Sequence, residues 1–157
     1  MPEALANLKK RSAKLMHYLF PMAILFMLSS RYIFQLLYNR DLLEGFQIFN
    51  IYLLLIISRM LFPQTVLLGI HKSRSFYLSS ALEIIVNVAL ALMFVSWMGI
   101  QGAAWAMVIA FMAEKLILLW FCRLNNIRLH DFVPLTTFLF YSAACGASYF
   151  LSLYLFS

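Results

Sequence analysis

Apolar residues fill five stretches of this chain, and polar residues gather between them. The stretches cover residues 15–38, 46–70, 76–97, 102–122 and 132–156. Each is about 20–25 residues long, the length a helix needs to cross a hydrocarbon core about 30 Å thick. The pattern predicts an all-α chain, a polytopic bundle of five transmembrane helices. Residues 1–14 read as a basic cytoplasmic segment and residues 15–157 as the bundle.

Composition sharpens this picture. Of 157 residues, 64% are hydrophobic and 11% charged, whereas a soluble domain carries about 25% charged residues. The first apolar run is too long for the core of a cleavable leader, so none is expected. The formal charge of +6 sits mostly at the ends of the runs, where it reports topology rather than affinity for nucleic acid. Cys122 and Cys145 lack metal-ligand spacing and read as small packing residues.

Basic residues alternate from junction to junction. Lys9, Lys10, Arg11 and Lys14 precede run one, Lys72 and Arg74 join runs two and three, and Arg123 and Arg128 join runs four and five. The opposite side holds Arg40 alone, offset by Asp41 and Glu44. The positive-inside rule then places the N-terminus in the cytoplasm and the C-terminus outside.

Local signals add detail. Pro21 and Pro63 fall within runs one and two and predict kinks, since proline frees a backbone carbonyl. Gly102, Ala106, Ala110 and Ala113 form a ridge of small residues that allows a close helix approach. Ser142–Gly146 and Ala143–Ala147 form similar pairs on run five, and both ridges are expected to pack on protein. The uncharged turn near Gly99 predicts a tight hairpin, with Trp97 at the outer interface, Trp120 at the inner one and Trp105 available to the outer belt. Asp131 is placed to cap run five.

The candidate chemistry lies in polar residues at membrane depth. Arg59 is near mid-bilayer, where an arginine costs about 2.5–3.5 kcal/mol on translocon scales. It requires a carboxylate or an aqueous cavity, and a guanidinium suits a phosphate group bidentately. Glu83, Glu114 and Lys115 lie at similar depth in the inner half, so Glu83 can pair with Arg59 or Lys115. Ser80, Glu83 and Asn87 share one face of run three, which is expected to look inward. Gln47, Asn50, Ser58 and Thr65 on run two read as interhelical glue. Arg31 is near the outer end of run one and can snorkel, and His17 lies near the inner surface. No metal-ligand spacing, phosphate-cradling loop or nucleophilic triad is visible. Neither an enzyme, a metal site nor a cofactor is expected.

Between Leu53 and Ala110 the chain resembles the C-terminal half of polysaccharide-biosynthesis flippases of the multidrug/oligosaccharidyl-lipid/polysaccharide superfamily. The shared order begins with an apolar helix bearing an embedded arginine, Leu53-Leu54-Leu55-Ile56-Ile57-Ser58-Arg59. It continues through Val66-Leu67-Leu68-Gly69-Ile70-His71-Lys72 and Glu83-Ile84-Ile85-Val86-Asn87-Val88 to Gly99-Ile100-Gln101-Gly102-Ala103-Ala104. The pattern places Gly-Lys where this chain has His71-Lys72.

The resemblance implies two six-helix lobes around a cationic cavity that alternates access to move a polyprenyl-pyrophosphate-linked oligosaccharide across the bacterial inner membrane. This chain would supply about four helices of the second lobe and one more. It is then a piece that relies on a missing N-terminal lobe or on other membrane subunits, and transport by this polypeptide alone is not expected. Arg59 and Asn87 are the implied substrate contacts, with Glu83, Glu114 and Lys115 in ion-pair or coupling roles. Two alternatives stand beside it: a cation-coupled multidrug exporter of the same superfamily, and a non-transporting scaffold of a glycan-assembly complex.

Overall fold

The computed structural model describes residues 2–37 and 45–156. Arg40, Asp41 and Glu44, on which the lightly charged junction rests, lie outside the described residues. Those described form α1 (Pro2–Leu37), α2 (Gly45–Leu53), α3 (Leu55–Arg59), α4 (Pro63–Gly69), α5 (Ser73–Met98), α6 (Ile100–Leu124), α7 (Leu129–Phe132) and α8 (Leu135–Phe156), with no strand among them. Five segments are long and apolar enough to span a bilayer: Glu3–Leu37, Gly45–Gly69, Arg74–Met98, Ile100–Leu124 and Leu135–Leu155. The chain is a multi-pass helical membrane protein.

The basic N-terminal segment continues α1, which runs helical for 36 residues and stays helical through Pro21. Ser12, Met16, Phe20, Ala23, Met27 and Ser30 form its buried stripe, at the three- and four-residue spacing of one helix face. Near its N-terminal end the helix docks on α7. Lys9 Nζ donates to the His130 carbonyl at 2.6 Å, and Ser12 Oγ lies 3.5 Å from the Phe132 carbonyl. The end of α4, at Thr65, Val66 and Gly69, and the turn that follows α6 border cavities shared with residues 4–11 of α1. The structure therefore gathers the heavily basic junctions at one end of the bundle.

The last span begins later than residue 132. Pro134 disfavours a helical residue before it, so α7 closes separately and α8 starts at Leu135. Asp131 accordingly caps α7 and not run five, accepting the Arg128 N–H at 2.8 Å. α8 packs on α1, where the Tyr141 ring stacks on Phe20 at 5.5 Å and meets His17 edge-on, and it buries Cys145, Tyr149 and Ser152. Of the small pairs expected to face protein on α8, Ala143 and Ala147 are exposed and open space lies over Gly146, while Ser142 is half-buried with its hydroxyl enclosed. Small residues permit close approach without compelling it. Trp105 turns inward, its ring 5.7 Å from that of Tyr149 in an edge-on contact, whereas Trp97 and Trp120 are exposed.

α6 is the central helix. On one side it forms a tight hairpin with α5, on the other it packs against α2, α3 and α4. The hairpin uses its two glycines differently. Gly99 takes φ 61° and ψ −142°, a region essentially closed to residues with a Cβ. Gly102 allows contact, since a Cβ there would collide with the Phe94 carbonyl. Ala106 and Ala110 continue the buried ridge.

The second span is broken. Ile57 N–H bonds Leu54 O three residues back, so α2 gives way to α3 through a tight turn. Pro63 then removes the donor that would meet the Arg59 carbonyl four residues earlier. Phe62 takes φ 49° in the left-handed region, and α4 restarts with Pro63 in its first turn.

Candidate functional site

Two helix faces bring the polar residues together. Along α5, Phe76, Ser80, Glu83, Asn87, Leu90 and Phe94 are half-buried, while Leu82, Ile84, Ile85, Val88 and Leu92 are exposed. The half-buried set repeats at spacings of four and three, which turns it toward α6. Ser80, Glu83 and Asn87 thus face inward on one stripe, as the sequence predicts.

Glu114 and Lys115 on α6 complete the cluster. Both are buried, at 5% and 4% exposure. Lys115 Nζ lies 2.7 Å from Glu114 Oε2 and donates to Gln64 Oε1 of α4 at 2.9 Å. Ser80 Oγ of α5 donates to Glu114 Oε1 at 3.3 Å. One ion pair therefore joins three helices, with each charge also hydrogen-bonded, the condition under which buried charges persist. Glu83 lies within electrostatic reach of both members and has no ion pair of its own among the described residues. Asn87 sits one turn beyond Glu83 and makes no side-chain hydrogen bond among them.

Arg59 is separate from this pair. Its guanidinium carbon stands 5.6 Å from the centroid of the Phe111 ring, a cation–π arrangement. Phe111 is one helical turn from Glu114 and Lys115. Lys115, not Arg59, takes the carboxylate, and Arg59 is exposed on the bundle surface at the last residue of α3. Together the set holds two carboxylates, one ammonium and one guanidinium.

Gln64 is the partner that sequence reasoning missed. Its signal was present, a polar side chain immediately after Pro63 in the last third of the second span. Away from the cluster, Asn50 Nδ2 donates to Ser152 Oγ at 3.1 Å, and Gln101 donates to Gln47. These amides tie α2 to α8 and α6, as interhelical glue does. Ser58 bonds only its own helix, Thr65 is exposed, and Arg31 is half-buried in α1. No group of three His, Cys, Asp or Glu among the described residues could hold a metal ion. No protein family, curated protein or solved structure matches this chain.

Proposed function

We propose that this chain is part of a membrane transporter that moves an anionic lipid-linked substrate, of the polyprenyl-pyrophosphate oligosaccharide class, across the bacterial inner membrane. One observation carries the reading: a mid-span guanidinium is exposed on the side of a five-helix bundle. Against acyl chains it would cost about 2.5–3.5 kcal/mol or more. Against an aqueous cavity completed by further membrane helices it stays solvated, and its planar fork matches a diphosphate.

Two further features support the reading. The broken span puts Arg59 at a half-helix end, and transporters commonly build midplane sites from such interrupted helices. At the other end of α4, His71 has φ 58° and donates its N–H to Leu68 O, while Lys72 donates to Leu67 O. That is a helix stop favouring glycine at its left-handed residue, the residue type that the flippase pattern carries there. In the proposed mechanism Arg59 meets the pyrophosphate and Asn87 adds an amide contact. The Glu114–Lys115 pair holds the α4–α6–α5 unit in register, and Glu83 carries the proton or cation that couples to transport. The N-terminus and the basic end face the cytoplasm.

The test is export in the native host. Arg59→Ala should abolish appearance of the oligosaccharide at the cell surface while membrane levels of the protein stay normal, and Arg59→Lys should retain part of it. Normal export with Arg59→Ala contradicts the proposal. Loss of the variant from the membrane assigns Arg59 a structural role instead.

A further inference from the structure

At the basic end of the bundle, where α6 turns into the loop before α7, lies a cavity of about 800 Å³. Its lining includes Trp120, Arg123, Asn126 and Arg128, with Leu119, Ile127 and Leu129 as its apolar part. The turn that shapes it is rigidly specified. Asn126 N–H bonds Arg123 O and Ile127 N–H bonds Cys122 O, both at 3.0 Å, with Asn126 left-handed at φ 59°. This is a Schellman stop with asparagine in the glycine place. It reverses the chain so that Arg123, before the turn, and Arg128, after it, border one hollow.

The charges in that hollow are unanswered. Neither the Arg123 nor the Arg128 guanidinium has an ion pair or hydrogen bond among the described residues, and both residues are exposed. Among the described residues no carboxylate lines the cavity. The nearest acid in sequence, Asp131, is held by the Arg128 N–H and by His130, 3.1 Å away. Trp120 is 59% exposed at the end of a spanning helix, the place where tryptophan marks the headgroup level. We infer that this hollow binds the phosphodiester of an anionic glycerophospholipid, with the arginines on the phosphate and the apolar lining against the glycerol and first acyl carbons. A zwitterionic headgroup would bring a cation that no carboxylate here receives. Basic pockets beside membrane helices recognise lipid headgroups by this chemistry, and paired guanidinium groups suit a phosphate. The inference is independent of the role assigned to Arg59.

The test reads Trp120 directly. The full chain carrying Trp97→Phe and Trp105→Phe is reconstituted with acyl-brominated phosphatidylglycerol or phosphatidylcholine, and quenching of the remaining tryptophan is followed against lipid fraction. Phosphatidylglycerol should quench at a fraction roughly thirtyfold lower, the scale of two basic side chains at an anionic surface. Arg123→Gln with Arg128→Gln should erase the preference, and the charge-matched control Lys10→Gln with Lys14→Gln should keep it. Equal quenching by the two lipids overturns the inference. So does equal loss in both variant pairs, which signals diffuse attraction, and so does displacement by inorganic phosphate, which signals a free-anion site. Native mass spectrometry of the unsubstituted chain, comparing retention of the same two lipids unbrominated, should give the same ranking; equal retention there also overturns it.

Discussion

Lys115 and Glu114, consecutive on α6, form a buried ion pair at 2.7 Å while reaching to different helices. The ammonium extends to Gln64 of α4 and the carboxylate receives Ser80 of α5. Adjacent helical positions differ by about 100° in direction, so neighbouring residues can serve two interfaces and still meet at their tips.

That geometry makes the pair unequal to the sum of its halves. Lys115→Met leaves Glu114 buried without its counter-charge and should destabilise the bundle by about 3–5 kcal/mol, whereas Lys115→Met combined with Glu114→Gln should recover most of the loss. Thermal unfolding in detergent, followed by near-ultraviolet circular dichroism, measures both. A single variant as stable as the double variant contradicts the pair's structural role.

The hairpin glycines should fail for separate reasons. Gly102→Ala drives a methyl into the Phe94 carbonyl and should spread α5 from α6. Gly99→Ala meets no neighbour within 4 Å but must hold a backbone that costs about 1–3 kcal/mol for any L residue. A cysteine pair placed across the hairpin below the turn should then cross-link less readily in Gly102→Ala than in Gly99→Ala. Equal cross-linking in the two variants would count against the distinction.

His71→Gly should stabilise the chain. His71 is exposed and left-handed at φ 58°, so the substitution removes backbone strain without removing a buried contact. A gain of about 0.5–1 kcal/mol is expected, read as a higher unfolding midpoint. A lower midpoint would show that the imidazole contributes an interaction outweighing the strain.

Asn50 offers a contrast. Its amide bonds Ser152 and the Met27 carbonyl, while its Oδ1 is buried without a partner among the described residues. Asn50→Leu should therefore cost less than about 1 kcal/mol, near the average for interhelical hydrogen bonds in membranes. The same unfolding assay decides it, and a loss several times larger would contradict this reading.

The bundle was legible because hydrocarbon imposes a length and an apolar composition on every span. The inward stripe of Ser80, Glu83 and Asn87 was legible too, since helical period alone fixes which positions share a face. Partner choice was not. The sequence left Glu83 open to Arg59 or Lys115, whereas Glu114 takes Lys115, because depth along an axis carries no information on azimuth between helices. The α8 ridges misled for a related reason: the helix buries Cys145, Tyr149 and Ser152 instead, and Ala143 and Ala147 are exposed. Pro63 announced a break, but the left-handed Phe62 and the recruitment of Gln64 depend on how α4 lies against α6. Asp131 stood close enough to run five to suggest its cap, and Pro134 assigned it to α7.

The account rests on what Arg59 faces. In the native membrane, with Cys122 and Cys145 replaced by alanine, the thiol of Arg59→Cys should react with a charged, membrane-impermeant methanethiosulfonate, and a polyprenyl pyrophosphate should slow that reaction. A thiol that resists the charged reagent, yet reacts with a lipid-soluble maleimide, would place position 59 against acyl chains and contradict the account.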